Sequence, residues 1–154
     1  MAARRPPELQ LTPLQPGDDE FRQTMWRYWR ELGVDPNPLW AARYIARIDS
    51  EQGSDRFTFW CSTGAERCGF AMVRMQPDWL LPERTIGYIA EFYVFAAFRR
   101  KGVGRVMAER MIQFARDRGA EDVELDVLPT NRRGMQFWQA LGFALSHHHM
   151  RLAR

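Results

Sequence analysis

Two glycines, Gly102 and Gly104, follow a basic triplet, Arg99-Arg100-Lys101, and that triplet follows an apolar run from Phe92 to Phe98 that holds Val94-Phe95-Ala96. Residues of these types in this order suit a diphosphate. Without a Cβ the backbone can come close to phosphate oxygens. The unpaired N–H groups of a turn that opens a helix point at an anion, and the helix dipole supports it. Arg99, Arg100 and Lys101 add mobile positive charge beside Gly102-Val103-Gly104. A second kind of chemistry lies upstream. Glu91 interrupts Ile89-Ala90 and Phe92-Tyr93 in an otherwise apolar strand, and a carboxylate is costly to bury without a purpose or a partner. Glu91 is the first candidate for a general base, and Asp126, five residues before Asn131, is the second. An edge-of-sheet salt bridge is the plain structural alternative for either.

These groups need elements to hold them. Glu8–Thr12 alternates and predicts a first strand, and a helix from about Asp18 to Leu32 stops at Gly33. A second helix from about Leu39 to Glu51 carries Trp40, Tyr44, Ile45 and Ile48. Arg56–Ser62 and Cys68–Gln76 pair as a hairpin, and Pro77–Glu83 is a turn-rich connection. Arg84–Phe95 is a long strand with Ile86, Tyr88, Ala90, Phe92 and Val94 at period two. A helix follows Gly104 and ends at Gly119; then come a strand over Asp122–Val127, a helix through Leu141, and a last extended segment reaching roughly Leu152. The order β-α-α-β-β-β-α-β-α-β predicts an α+β fold of three-layer type around a mixed sheet of six to seven strands, with one parallel pair. Residues 1–7 are expected to form a flexible tail and 8–154 a single domain.

Composition excludes more than it assigns. The charge is +3, from 22 basic and 19 acidic residues, and only Lys101 among the basic ones is a lysine. Arginines scattered through the chain read as a solvated surface, so a nucleic-acid-binding domain is disfavoured. Cys61 and Cys68 are too few for a disulfide framework and read as free thiols near each other across a hairpin. No apolar run is long enough for a spanning helix and no secretory signal is evident, which predicts a cytoplasmic protein without membrane contact. His147-His148-His149 lie in a strand-like segment where neighbours face opposite ways, so they do not converge on a metal.

The two motifs together resemble the GNAT superfamily of acetyl-CoA-dependent N-acetyltransferases. The family's central signature is met by Arg99-Arg-Lys-Gly102-Val-Gly104 after Val94, and its downstream signature by Asn131 through Phe137-Trp138 to Gly142-Phe143. The match is close over residues 84–143. A dinucleotide-binding reading of Gly102-x-Gly104, with Glu124 downstream, fails at Met107 in the third glycine position and for want of a second βαβ half.

The resemblance implies an acyltransferase that moves an acetyl group from acetyl-CoA, as co-substrate, to a primary amine of a small molecule or peptide in a ternary complex, without a metal. It implies that the backbone of Val94, Phe95 and Ala96 pairs with the pantetheine arm and that Arg99 to Arg105 cradles the pyrophosphate. Asn131 would touch the pantetheine or acetyl end. The backbone N–H at Val94 or its neighbour is the natural oxyanion donor. Many family members carry a tyrosine, the proton donor to departing CoA, where this chain has Trp138. An indole cannot give up its proton at neutral pH, so Trp138 is expected to pack against pantetheine or core, and either Tyr93 substitutes as the acid or CoA leaves as thiolate and is protonated by water. The first two helices and the loop Pro77–Glu83 would shape the acceptor site, where Asp18, Asp19, Glu20, Asp35 and Asp78 could meet a cationic amine. Tyr28 is held for the same pocket. Homodimers are common in the family. The rival function is an acyl-CoA-binding module without turnover.

Overall fold

The computed structural model describes residues 7–153, so positions 1–6 of the expected tail and Arg154 lie outside the described residues. The first strand, β1, is Gln10–Pro13. Helix α1 is Asp19–Glu31, and the Asp18 side chain starts it by accepting from the Phe21 N–H at 2.9 Å. Helix α2, Pro38–Glu51, has Asn37 as its cap and Pro38 in its first turn, where a missing N–H costs nothing. Strands β2 (Arg56–Thr63) and β3 (Glu66–Pro77) form the hairpin, β4 is Thr85–Val94, and a single 3-10 turn covers Ala96–Phe98. Helix α3 is Val103–Asp117, β5 is Asp122–Glu124 and α4 is Arg132–Ala140.

Among the described residues the sheet has five strands in the order β1-β2-β3-β4-β5, antiparallel throughout except for the parallel pair β4·β5. The expectation of six to seven strands is therefore corrected. The segment after Gly142 forms no strand among the described residues, and Leu145, Met150 and Leu152 are left exposed. Ser146 to His149 offer no apolar residue to either face, so pairing there would bury nothing. The strand expected over Asp122–Val127 also stops early, at Glu124.

Helices cover both faces of the sheet. On one side Met107, Ala108, Met111 and Ala115 of α3 and Trp138 of α4 pack against Ile89, Val73 and Ala71. On the other, Phe21, Met25 and Trp29 of α1 and Ile45 and Ile48 of α2 pack against Phe70, Met72 and Tyr93. Full burial of each of the larger aliphatic and aromatic side chains among these is worth roughly 1.5–3 kcal/mol. The approach of α3 to β4 is set by Gly87, where an added Cβ would lie 2.5 Å from the Ala115 Cβ. Cys61 and Cys68 are buried, free and close, as their positions across the hairpin imply: the Cys68 thiol donates to the Cys61 carbonyl at 3.2 Å. Burial pushes the Cys68 thiol up to about 11.

Strand β4 is irregular in two respects. Its register against β3 runs Met72↔Glu91 and then Val73↔Ile89, so Ala90 is an extra residue, a β-bulge. The period-two pattern expected from Ile86 to Val94 breaks at that point. Before the bulge Gly87 and Ile89 face α3; beyond it Phe92 and Val94 do, while Ala90 and Tyr93 join the α1/α2 side. Pairing with β5 ends at Tyr88↔Glu124, so Ala90 to Val94 have no neighbour on that side.

Candidate active site

The bulge aims Glu91 at the α1/α2 side, where the Tyr44 hydroxyl of α2 donates to its Oε1 at 2.6 Å. The carboxyl is half-buried. Loss of water raises its pKa above the ordinary glutamate value; the Tyr44 hydrogen bond, the Tyr28 hydroxyl and the Arg56 charge pull the other way without cancelling it. Arg56 is 2 % exposed and lies beneath this group. Its guanidinium donates to Glu51 at 2.9 Å and to the Met72 sulfur at 2.9 Å, and sits 5.7 Å from the Tyr44 ring centroid. The buried arginine so fixes the ring that holds Glu91.

Where β4 and β5 part, a cleft of about 310 Å³ opens, lined by Tyr28, Trp29, Trp40, Tyr88, Glu91 and Asn131 among others. Asp126 also lines it, but on irregular chain beyond the end of β5, exposed, accepting from the Tyr88 hydroxyl at 2.9 Å. The two candidate carboxylates thus share one cleft. Burial above all, and then Asp126, raises the Tyr88 pKa, which makes its hydroxyl a hydrogen-bond donor rather than a source of protons. Asn131 caps α4 by accepting from the Gly134 N–H at 2.9 Å, and its amide borders the cleft. Trp138 is buried, with ring centroids 4.9 Å from both Phe92 and Phe137, so it packs as expected.

The Phe95 N–H is bonded to the Cys68 carbonyl of β3 at 2.9 Å. Successive residues of a strand point their polar groups to opposite sides, so the N–H and carbonyl of Val94 face the open side. Beyond the 3-10 turn that begins at Ala96, Arg100 and Gly102 take left-handed φ values of 60° and 81°. Among the described residues, none of the N–H groups from Arg100 to Arg105 meets a protein acceptor. Six donors, several at a helix start, are thereby left for an anion. The second glycine has a different use: a Cβ at Gly104 would lie 3.2 Å from Phe137 Cε2, so Gly104 admits the α4 ring.

Several expected roles do not fit the side-chain positions. Arg99 turns away from the phosphate turn: its Nε donates to the Val94 carbonyl at 2.8 Å and its Nη2 to Glu31 at 2.5 Å. Lys101 bonds the Ala97 carbonyl at 2.7 Å and Arg105 pairs loosely with Glu109 at 3.7 Å, both at the surface and free to be re-aimed by an anion. Tyr93 does not substitute as an acid. It is buried on the α1/α2 side, its hydroxyl donates to Glu31 at 2.8 Å, and burial followed by that carboxylate pushes it up to about 12. Asp18, Asp19, Glu20 and Asp78 are engaged elsewhere: Asp18 with the Phe21 N–H and the Trp60 indole, Asp19 with Arg22, Glu20 with Arg67, Asp78 with Arg84 and its own turn. Asp35 is exposed beside Val34, which lines the cleft. Sequence alone does not mark Tyr44, Tyr88 and Trp40 as site residues; the i, i+4 spacing of Trp40 and Tyr44 on α2 is the one signal of their shared face.

Known proteins agree with this architecture. The sequence is 30% identical over 131 residues to an uncharacterized N-acetyltransferase of Methanocaldococcus jannaschii, covering 81% of this chain but 55% of that protein. It is 29% identical over 110 residues to an uncharacterized N-acetyltransferase of Bacillus subtilis, covering 70% of this chain and 68% of the relative. A predicted acetyltransferase of Clostridium acetobutylicum, solved with acetyl-CoA, superposes with a TM-score of 0.75 over 95% of this chain and 96% of its own; at 14% identity it shows the shared fold. The pattern of the acetyltransferase (GNAT) family matches residues 19–143, a span that holds the bulged strand, the donor-rich turn and the cleft. The chain belongs to that family.

Proposed function

We propose that this protein transfers an acetyl group from acetyl-CoA to a primary amine by direct attack within a ternary complex. The observation that carries the reading is the juxtaposition along β4: Glu91 lining the cleft, the Val94 N–H on the open strand side, and just beyond it a turn of six N–H groups without a protein acceptor among the described residues. These residues fit the donor. The N–H groups from Arg100 to Arg105 would hold its diphosphate, the chain from Val94 to Ala96 would run along its pantetheine arm once Arg99 releases the Val94 carbonyl, and Asn131 would border its acyl end. Acetyl-CoA supplies an activated acyl carbon whose bond to sulfur breaks as the amine bonds to it.

Three things must then happen, two of them carried by the protein's own residues. A substrate ammonium with a pKa near ~10 must lose a proton before its nitrogen can attack. Glu91 takes that proton, and its raised pKa makes it a stronger base than an ordinary carboxylate. The Val94 N–H faces the developing oxyanion. The electron pair of the broken C–S bond leaves on sulfur, and the thiolate is protonated by water, since Trp138 has no proton to give and Tyr93 faces the other side. Asp126, held by Tyr88, is a second acceptor for the proton. The free, buried thiols of Cys61 and Cys68 support a reducing, cytoplasmic setting.

A non-catalytic acyl-CoA-binding module is favoured by one observation, the indole at Trp138. Calorimetry with acetyl-CoA followed by thiol release over a panel of primary amines tests both. Binding with turnover that drops on Glu91→Gln supports the enzyme, binding without turnover supports the module, and no binding overturns both.

A further inference from the structure

The acceptor side of the cleft has a chemistry of its own. Its walls are Tyr28, Trp29, Leu32, Val34 and Trp40 on one side and Leu125, Val127 and Leu128 on the other. Two carboxylates, Glu91 and Asp126, are the charged residues of the lining, and among the described residues no lysine, arginine or histidine joins it. Each carboxylate already accepts from a tyrosine hydroxyl, at 2.6 and 2.9 Å. Trp40 is 48% exposed, so a broad part of its indole faces solvent at the cleft. It stacks on Tyr44 with an interplanar angle of 10° and a centroid distance of 5.9 Å, and lies 5.1 Å from the Trp29 centroid. The same Tyr44 carries the hydroxyl that donates to Glu91, so the aromatic wall adjoins the base.

Resting on the acetyltransferase reading, we infer that the acceptor is a primary monoamine on a flat, apolar body (an arylalkylamine), seated against Trp40 and Trp29 with its nitrogen directed to Glu91. The walls match each part of such a molecule. An apolar ring gains area and edge or face contacts on the indoles, and the ammonium gains from the ring faces and from the carboxylates. An amino-sugar phosphate would bring a dianion into a lining with two carboxylates and no cation, which is repulsive. A polyamine or aminoglycoside would bring several ammonium groups to a cleft with two acids, and would leave the apolar walls unsatisfied. In the transfer itself the ammonium gives one proton to Glu91, the nitrogen lone pair forms the C–N bond, the C–S bond breaks with its pair on sulfur, and the second proton that nitrogen loses passes through water to that thiolate. The products are the N-acetylamine, CoA and one proton released to solvent when Glu91 returns to its charged form.

Thiol release with acetyl-CoA and four acceptors (phenethylamine, spermidine, kanamycin and glucosamine 6-phosphate) tests this. Phenethylamine is expected to show kcat/KM at least about tenfold above each of the others, the discrimination that one aromatic contact set supplies. Trp40→Ala should raise KM for phenethylamine about tenfold and leave acetyl-CoA affinity by calorimetry within about twofold, and Trp40→Phe should restore most of the loss. A better rate with spermidine, kanamycin or glucosamine 6-phosphate, no turnover of phenethylamine by protein that binds acetyl-CoA, or a KM indifferent to Trp40→Ala would each overturn the inference while leaving the donor site in place. Absence of acetyl-CoA binding by the parent chain would remove the acetyltransferase reading and this inference with it.

Discussion

A carboxyl group taken out of water holds its proton more tightly, and Glu91 shows the consequence for both stability and rate. Its folded pKa lies above the unfolded value, chiefly through burial. The folded state therefore binds more protons than the unfolded state between those two values, and stability falls as pH rises through that window. Below the unfolded pKa the penalty is absent; above the folded one it is complete. Glu91→Gln removes the charge while keeping the shape and a partner for Tyr44, so it should melt at or above the parent temperature at pH 8 and lose that advantage near pH 4. The same variant should lose about 10²-fold or more in kcat/KM, the usual contribution of a placed base. A variant that is both less stable at pH 8 and fully active would refute the assignment. Tyr44→Phe separates the base from its support. Without the 2.6 Å hydrogen bond the carboxylate is less favoured. The acidic limb of the pH–rate profile should then move to higher pH with the plateau rate largely kept, and an unmoved limb would mean that Tyr44 does not act on Glu91.

At the scale of elements, the phosphate turn and the helix after it are legible because glycines and basic residues advertise themselves locally. The bulge is not. Nothing in Ile89-Ala90-Glu91 distinguishes a regular strand from one with an extra residue; the shift is decided by the partner strand, where Met72 and Val73 face Glu91 and Ile89. The consequence is large, since the bulge alone puts Glu91 opposite Tyr44 and keeps Phe92 and Val94 under α3. Acidic residues near the helix starts are readable as caps, and that is how Asp18 is used. The glycines also differ in what they permit, which gives an element-level test. Gly102 sits at φ 81°, a conformation that costs a residue with a Cβ about 1–2 kcal/mol. Gly102→Ala should lower stability by about that much and weaken acetyl-CoA binding about tenfold as the turn rearranges. Gly87→Ala is the contrast: its Cβ would fall 2.5 Å from the Ala115 Cβ, so α3 must move off β4. A destabilisation of roughly 1–3 kcal/mol is expected, seen as a shift in the denaturant midpoint.

Over the whole molecule, the two edges of the sheet are finished differently. β1 runs along one side with Leu9 and Leu14 buried beside it, whereas β5 is three residues long and has β4 as its one neighbour. Glu121, Asp122 and Glu124 charge that open edge, a common defence against pairing with another chain. The segment from Leu145 to Ala153 runs exposed throughout and places no side chain in either core. Removing it should therefore cost almost nothing: a chain ending at Ala144 keeps Phe143, whose N–H bonds the Trp138 carbonyl at 3.1 Å and whose ring packs on that indole at 5.3 Å. Surface segments without such contacts usually change stability by less than about 0.5 kcal/mol, which for a domain of this size is a shift of at most about 2 °C in Tm. Thermal unfolding of the full and shortened chains, paired with sedimentation of each, measures it. A fall of about 5 °C or more, accompanied by a change in mass from dimer to monomer, would mean that Leu145 to Ala153 pairs with the open edge of β5 in a second copy, and that the five-stranded sheet is completed only in the assembly.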